Sequence, residues 1–480
     1  MKHYNKLLLF SFLLLILVSC KKVINTTETD LIAGENALQT VGYNEQAILG
    51  AYAATGIEMA ILLNATFADE VKVAEFYNAG TTHEWQYAST DVGLRDNFTA
   101  TTPNYRVIDR VNRVLEALPT ADSTKAGDNA LRLKLRGEAL FLRAFSHFEL
   151  YRFYCSNYNP DGLAMPYMET RTENPADPQA RIKQSDYFAK MSADVADAKL
   201  LLPNNLTDIN RATRLAATAL QARIALYKKD WAAAETFSTE FITGLPLASM
   251  ANFPGIWTDA NTSEVAFRLV RTSSFGGRIG SLWRATSANA ANIGTVTWRP
   301  SDEIWGAYDQ VNDVRFASYF KNEPLLAPAR GTRLIYKYAG TAYATANENV
   351  ANAKVYRTGE MYLIRAEARA EQNKITGANS AESDINDLRA ARITGYVNVV
   401  FASKAEAIDA VLLERYKELA YEGHRFWDLK RRGLPVERLA TDAPTTNAAV
   451  LPAGNFRFLL PIPDPEMKAN TLMVQNPGYN

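Results

Sequence analysis

Residues 211–243, RATRLAATALQARIALYKKDWAAAETFSTEFIT, hold two helices and the turn between them. Ala212 to Tyr227 is rich in alanine and leucine, the side chains that lose least on entering a helix. Lys228-Lys229-Asp230 breaks the run, and Trp231 to Ile242 returns. Two helices of about thirteen residues with a short turn make a unit of about thirty-four residues.

That length matches the tetratricopeptide period. A second pair is predicted at Thr358–Gln372 and Ala381–Arg392. Further helices are predicted at Gly42–Ala54, at Tyr105–Leu118 before Pro119, and at Lys404–Tyr421. The longest spans Asn129–Tyr154, with Phe141, Ala144, Phe145, Phe148 and Tyr151 on one face, read as core. Ser185–Leu202 is helical too, with Ser185 as its expected cap and Pro203 at its end. Between Gly244 and Ala353 glycine, asparagine, serine, threonine and proline rise, and Glu264–Val270 and Leu334–Tyr338 look like strands or loops. The fold class is mainly α: tetratricopeptide-like helical pairs form a scaffold, with irregular loop and short-strand insertions. No linker rich in proline and serine cuts the body, so residues 41–480 are read as a single domain with an insertion at about 244–353.

The N-terminus, MKHYNKLLLFSFLLLILVSCKK over residues 1–22, reads as an export signal. Lys2 and Lys6 precede a twelve-residue apolar stretch from Leu7 to Val18. At about 1.5 Å per residue it covers roughly 18 Å, too short for a hydrocarbon layer of about 30 Å. Leu17-Val18-Ser19-Cys20 resembles a bacterial lipobox, which implies removal of residues 1–19 and a covalent N-terminal lipid on Cys20. Each buried methylene contributes about 0.8 kcal/mol, so several acyl chains hold a soluble body to a membrane. Lys21 follows the cysteine where Asp would signal retention, which under the usual sorting rule favours the outer membrane. Residues 20–40 are polar and read as a flexible tether.

The whole chain carries 52 basic and 52 acidic residues, and loss of the signal removes two lysines and no acid. A body this close to neutral lacks the concentrated basic surface that nucleic acid demands. Cys155 is the one cysteine besides Cys20, and the four histidines are scattered, so neither a disulfide framework nor a Cys/His metal site is expected. Asp302, Glu303, Asp309 and Asp313 lack the spacing of a calcium loop, so no metal is expected there.

Glu418, Glu422 and Asp428 lie close together in sequence, as a catalytic carboxylate pair would, but Arg415, Arg425, Lys430 and Arg431 are interleaved with them. Paired carboxylates keep low pKa values and make poor general acids, so structural ion pairs are predicted and no catalytic residue is assigned. A sugar ring offers an apolar face and a hydroxyl rim, which suits flat aromatics flanked by amides and charges. Two irregular segments fit: Phe67–Tyr87, with Asp69, Tyr77, Asn78 and Trp85, and Ser273–Trp298, with Arg278, Trp283, Arg284 and Trp298. Asp69, Tyr77, Trp85, Trp283, Arg284 and Trp298 are the candidate ligand-binding residues; the competing reading is that they plug loops onto the scaffold.

Three stretches together resemble the SusD/RagB family of outer-membrane nutrient-binding lipoproteins: RGEALFLRAF at 136–145, YLIRAEA at 362–368, and ERYKELAYEGHRFWDLKRRG at 414–433. Asn476-Pro477-Gly478-Tyr479 resembles the family's usual ending. The resemblance implies a tetratricopeptide-like scaffold with a more variable ligand face. It implies a lipid-anchored location on the outer membrane, facing the exterior, with no cofactor and no enzymatic activity. The implied role is capture of an oligosaccharide or other nutrient for a SusC-like TonB-dependent transporter as partner. Two other classes stand beside it: a lipid-anchored scaffold binding peptides through its repeats, and an anchored glycan hydrolase.

Overall fold

A computed structural model of the chain describes residues 37–479 apart from 76–78, 175, 275–276 and 327–329. The export signal, Cys20 and Tyr77 lie outside the described residues. Helix α1 (Val41–Ala54) begins where the Thr40 side chain accepts from the backbone N–H of Tyr43. The next helix, α2 (Glu58–Phe67), escapes pattern reading because it is apolar on nearly every side; Ala60, Ile61, Leu63, Ala65 and Phe67 are all buried.

The scaffold continues through α3 (Thr101–Ala117), α4 (Asp128–Tyr154), α5 (Gln184–Leu201), α6 (Arg214–Lys228) and α7 (Trp231–Gly244). After the insertion come α8 (Thr358–Glu371), α9 (Ala381–Ala390), α10 (Lys404–Glu418) and α11 (Arg425–Arg432). From α3 to α9 each helix packs on the next, which gives the tetratricopeptide-like array. Thr213 caps α6, and Lys229 ends it in the left-handed region at φ 61°. Gly137 lets α4 and α5 touch, since a Cβ there would sit 3.0 Å from the Cβ of Leu201. Phe141, Phe145 and Phe148 of α4 are fully enclosed, each contributing about 1.5–3 kcal/mol by burial. Ser185 is not the cap of α5: extended Lys183 occupies that position with no side-chain cap, and Ser185 sits in the first turn.

The array closes over the insertion as if it were absent. α8 packs on α7, and the Thr358 hydroxyl donates to the Leu245 carbonyl at 2.9 Å. Between them strand β2 (Val265–Leu269) pairs antiparallel with β6 (Ala353–Arg357), and β4 (Phe320–Asn322) with β5 (Arg333–Ile335). β3 (Trp298–Pro300) pairs with β1 (Val71–Val73), which precedes the array in the chain.

α10 ends at Glu418, three residues short of the predicted Tyr421. Tyr421 and Gly423 take positive φ, 60° and 82°, and turn the chain onto α2. A Cβ on Gly423 would lie 3.1 Å from the Ala60 carbonyl carbon. The carboxylates of this segment are buried in ion pairs. Glu418 accepts from Arg315 and Arg392, both at 3.0 Å, and from Arg357. Asp428 bridges Arg415 and Arg431, each at 2.8 Å. Burial alone would raise Glu414, but Arg315, Arg389 and Lys417 outweigh it and hold its carboxyl at about 2.

Candidate ligand-binding face

The β1–β3 pairing joins the two aromatic segments picked out in the sequence. Val71 lies opposite Pro300, Lys72 opposite Arg299 and Val73 opposite Trp298. Side chains alternate across a strand, so Trp298 and Val73 share one side while Arg299 and Lys72 share the other.

The tryptophans take the inner side. Trp298 is 6% exposed, with its ring 4.9 Å from the His83 ring. Trp85 is 3% exposed; its Nε1 donates to the Phe67 carbonyl at 2.9 Å, and the Arg438 guanidinium lies 4.2 Å over its ring. Trp283, 1% exposed, packs at 5.3 Å on Tyr421, in the turn after α10. Arg284 is buried against Glu348, with its guanidinium 4.9 Å from the Tyr343 ring. Asp69 is buried too, paired with Arg425 at 2.6 Å. None of these side chains presents an open face on which a sugar could stack, contrary to the sequence expectation. The physical reason is that irregular segments have few ladder bonds of their own and are fixed to the helices by burying their largest rings.

The outer side is charged. Lys72 is 2.6 Å and Arg333 2.7 Å from the same Asp302 oxygen. The Arg333 guanidinium also lies 4.7 Å from the Trp305 ring. Arg330 pairs with Glu75 and donates to the carbonyls of Ile293 and Gly294 at 2.9 and 2.8 Å. Arg299 reaches the same Glu75 oxygen only at 3.8 Å. At the edge, burial and then the nearby Asp69 push the half-buried Glu303 carboxyl up to about 7, against the pull of Arg425. Sequence reasoning passed over Lys72, Glu75, Arg299 and Arg330. The available signal was alternation: Val71-Lys72-Val73, and an arginine directly after a tryptophan that turns inward.

A cavity of about 600 Å³ lies elsewhere, between α3 and residues 166–174 and 177–179, bounded by Glu466 and Asn470. Its carboxylates brace its own walls: Asp109 accepts from the Thr172 N–H and Glu116 from the Arg171 N–H, both at 2.8 Å.

The family profile described as "SusD family" matches residues 297–479, and the one described as "Starch-binding associating with outer membrane" matches residues 27–226. SusD-like protein P2 of Formosa agariphila is 26% identical over the full length of both chains. Among solved structures, a SusD superfamily protein from Bacteroides thetaiotaomicron aligns with a TM-score of 0.79 at 22% identity, covering 91% of this chain and 100% of its own. The surface glycan-binding protein A of Bacteroides fluxus aligns at 0.72 with 19% identity, covering 91% and 99%. These structures share the fold, and the two profiles together span most of the chain. With the helical array and the α10–α11 signature in place, the chain belongs to the SusD-like family.

Proposed function

We propose that this protein is an outer-membrane lipoprotein that captures an oligosaccharide and delivers it to a SusC-like TonB-dependent transporter. Family membership carries the reading: one matching profile is described as starch-binding and associated with the outer membrane, and a structural relative is titled a surface glycan-binding protein. The lipid on Cys20 holds the body to the membrane, and the face built around β1 and β3 receives the sugar. The helical array faces the transporter.

The protein works by binding, without cleaving its ligand. A glycosidase places two carboxyls about 5–10 Å apart across a cleft, one with a raised pKa. Glu303 has such a pKa; of its acidic neighbours Asp69 is buried in a pair with Arg425, Asp442 is buried, and Glu437 is exposed. Glu418, Glu422 and Asp428 are buried in ion pairs as well.

Fractionation and pull-down test the reading together. The wild type should sediment with outer membranes, co-purify in mild detergent with a TonB-dependent barrel and be retained on immobilised polysaccharide. Cys20→Ser should move to the soluble fraction with its fold intact. New reducing ends from a polysaccharide panel, or crosslinks to periplasmic proteins alone, would overturn it.

A further inference from the structure

The outer side of the β1–β3 pairing breaks a local rule. Like charges directly opposite each other on an antiparallel ladder destabilise it, yet Lys72 faces Arg299. Lys72 escapes toward Asp302, leaving Arg299 behind. Among the described residues the Arg299 guanidinium makes no hydrogen bond, and its buried Nε has no acceptor. Among the described residues its one ionic neighbour is the Glu75 oxygen at 3.8 Å, which also pairs with Arg330. One carboxylate oxygen therefore serves two guanidinium groups, on side chains 17% and 28% exposed. Burial lowers the proton affinity of Arg299, and Arg330 lowers it further against the pull of Glu75. A buried Nε without an acceptor is costly, and such local conflicts concentrate at functional positions.

The seat of Arg299 is built. A Cβ on Gly331 would stand 2.1 Å from Arg299 Nη1, so the guanidinium packs closely against the Gly331 backbone. Arg330 is fixed beside it by Glu75 and by the carbonyls of Ile293 and Gly294. A planar fork with unengaged donors, beside a second one held in place, suits two oxygens carrying a negative charge. Water and neutral hydroxyls satisfy the donors but leave the charge excess in place.

We propose that Arg299, with Arg330 beside it, binds an anionic substituent of the sugar, a uronate carboxylate or a sulfate ester, so that the captured ligand is an acidic oligosaccharide. This rests on the glycan-capture reading above and specifies its ligand class. The chain is close to neutral overall, so the preference is local and made by this pair. Lys72 and Arg333 share Asp302, and Lys72 also lies 3.7 Å from Asp442, so this neighbouring cluster is balanced and does not compete for the anion.

The test uses the full mature protein and matched ligands: oligogalacturonate against its methyl ester, a sulfated galactan oligosaccharide against its desulfated form, neutral starch oligosaccharides, and sodium sulfate alone. Binding is read by titration calorimetry at low and high salt. The expected result is at least a tenfold preference for one charged form over its uncharged counterpart, weakened by salt. Which pair shows it distinguishes carboxylate from sulfate. Arg299→Gln should abolish the preference with melting unchanged, Arg330→Gln should reduce it, and Arg299→Lys should restore it partly, because lysine keeps the charge without the fork. Binding of neutral sugars only, or a charge preference that survives Arg299→Gln, overturns the proposal while leaving glycan capture intact. Equal affinity for free sulfate and the sulfated sugar overturns it as a sugar site. Binding to no glycan on the panel overturns the capture reading and the proposal with it.

Discussion

Two arginine-rich regions of this molecule treat the same side chain in opposite ways. Around Glu418 every guanidinium is matched: Arg315 lies among Asp313, Glu414 and Glu418, and Arg357 among Glu264, Glu418 and Glu422. Arg392 joins Glu264 and Glu418. These groups are out of water, where an unmatched charge would be prohibitive. On the β1–β3 face Arg299 and Arg330 share one glutamate, and Arg299 stays largely unengaged. Where charge serves architecture, the chain supplies both partners. Where one partner is missing, the charge is directed at something outside the chain.

The largest effect that could break this contrast is expected inside the network. Glu418→Gln leaves three buried arginines short of a countercharge and should lower stability by about 3–5 kcal/mol in urea melts. An unchanged midpoint would mean that the network is not needed for the fold.

Trp298→Ala should cost a comparable amount, about 3–5 kcal/mol, because it empties a core position. If the mutant melts like wild type but loses ligand, Trp298 belongs to the ligand face and the inward orientation is not the binding conformation.

Proton linkage sharpens the comparison from both sides. Glu414 is held at about 2, below its ordinary value of 4.5, so its contribution is complete above pH 4.5 and disappears as pH falls toward 2. Glu70 runs the other way: burial pushes it up to about 8, and one of its oxygens has no partner. Its folded form holds the proton more tightly than the unfolded chain, so stability falls as pH rises from 4.5 to 8. Glu70→Gln should flatten that slope and gain on the order of 2–4 kcal/mol at pH 8 relative to pH 5, by denaturant titration at both pH values. Parallel wild-type and mutant slopes would show that Glu70 is ionised in the fold.

The smallest stability effect is expected at Arg299, next to Trp298 in sequence. Arg299→Gln should change unfolding by less than about 0.5 kcal/mol, or stabilise slightly, since no strong pair is lost. A loss matching that of Glu418→Gln would erase the distinction between the two regions.

The scaffold was legible because helices announce themselves locally. The α6–α7 pair, α4 and the α8–α9 pair each carry their own periodicity within a short window. α2 lacked an amphipathic stripe and was silent. The overrun of α10 to Tyr421 has a different cause: the backbone enters the left-handed region where α2 presses on the turn, a contact with a distant part of the sequence. The same holds for the ligand face. Composition marked both aromatic segments, and they do meet, but which side of each strand faces inward is set by β1 pairing with β3 across the whole helical array. Nothing near Trp298 or Trp283 encodes that partner. The arginines on the opposite side were therefore passed over in favour of the tryptophans beneath them.

The hydrogen bond from Thr358 to the Leu245 carbonyl makes the two ends of the insertion near neighbours. Residues 245–357 thus leave and rejoin the array at neighbouring points, but Arg315 and Arg357 within them pair with Glu418 of α10, and Glu264 pairs with Arg392, so an exchanged ligand face would have to keep these partners. The strap at 69–73 adds a further tie. Asp69 accepts the Ser301 hydroxyl, and β1 pairs with β3, so a graft that leaves this strap behind would arrive without its mate.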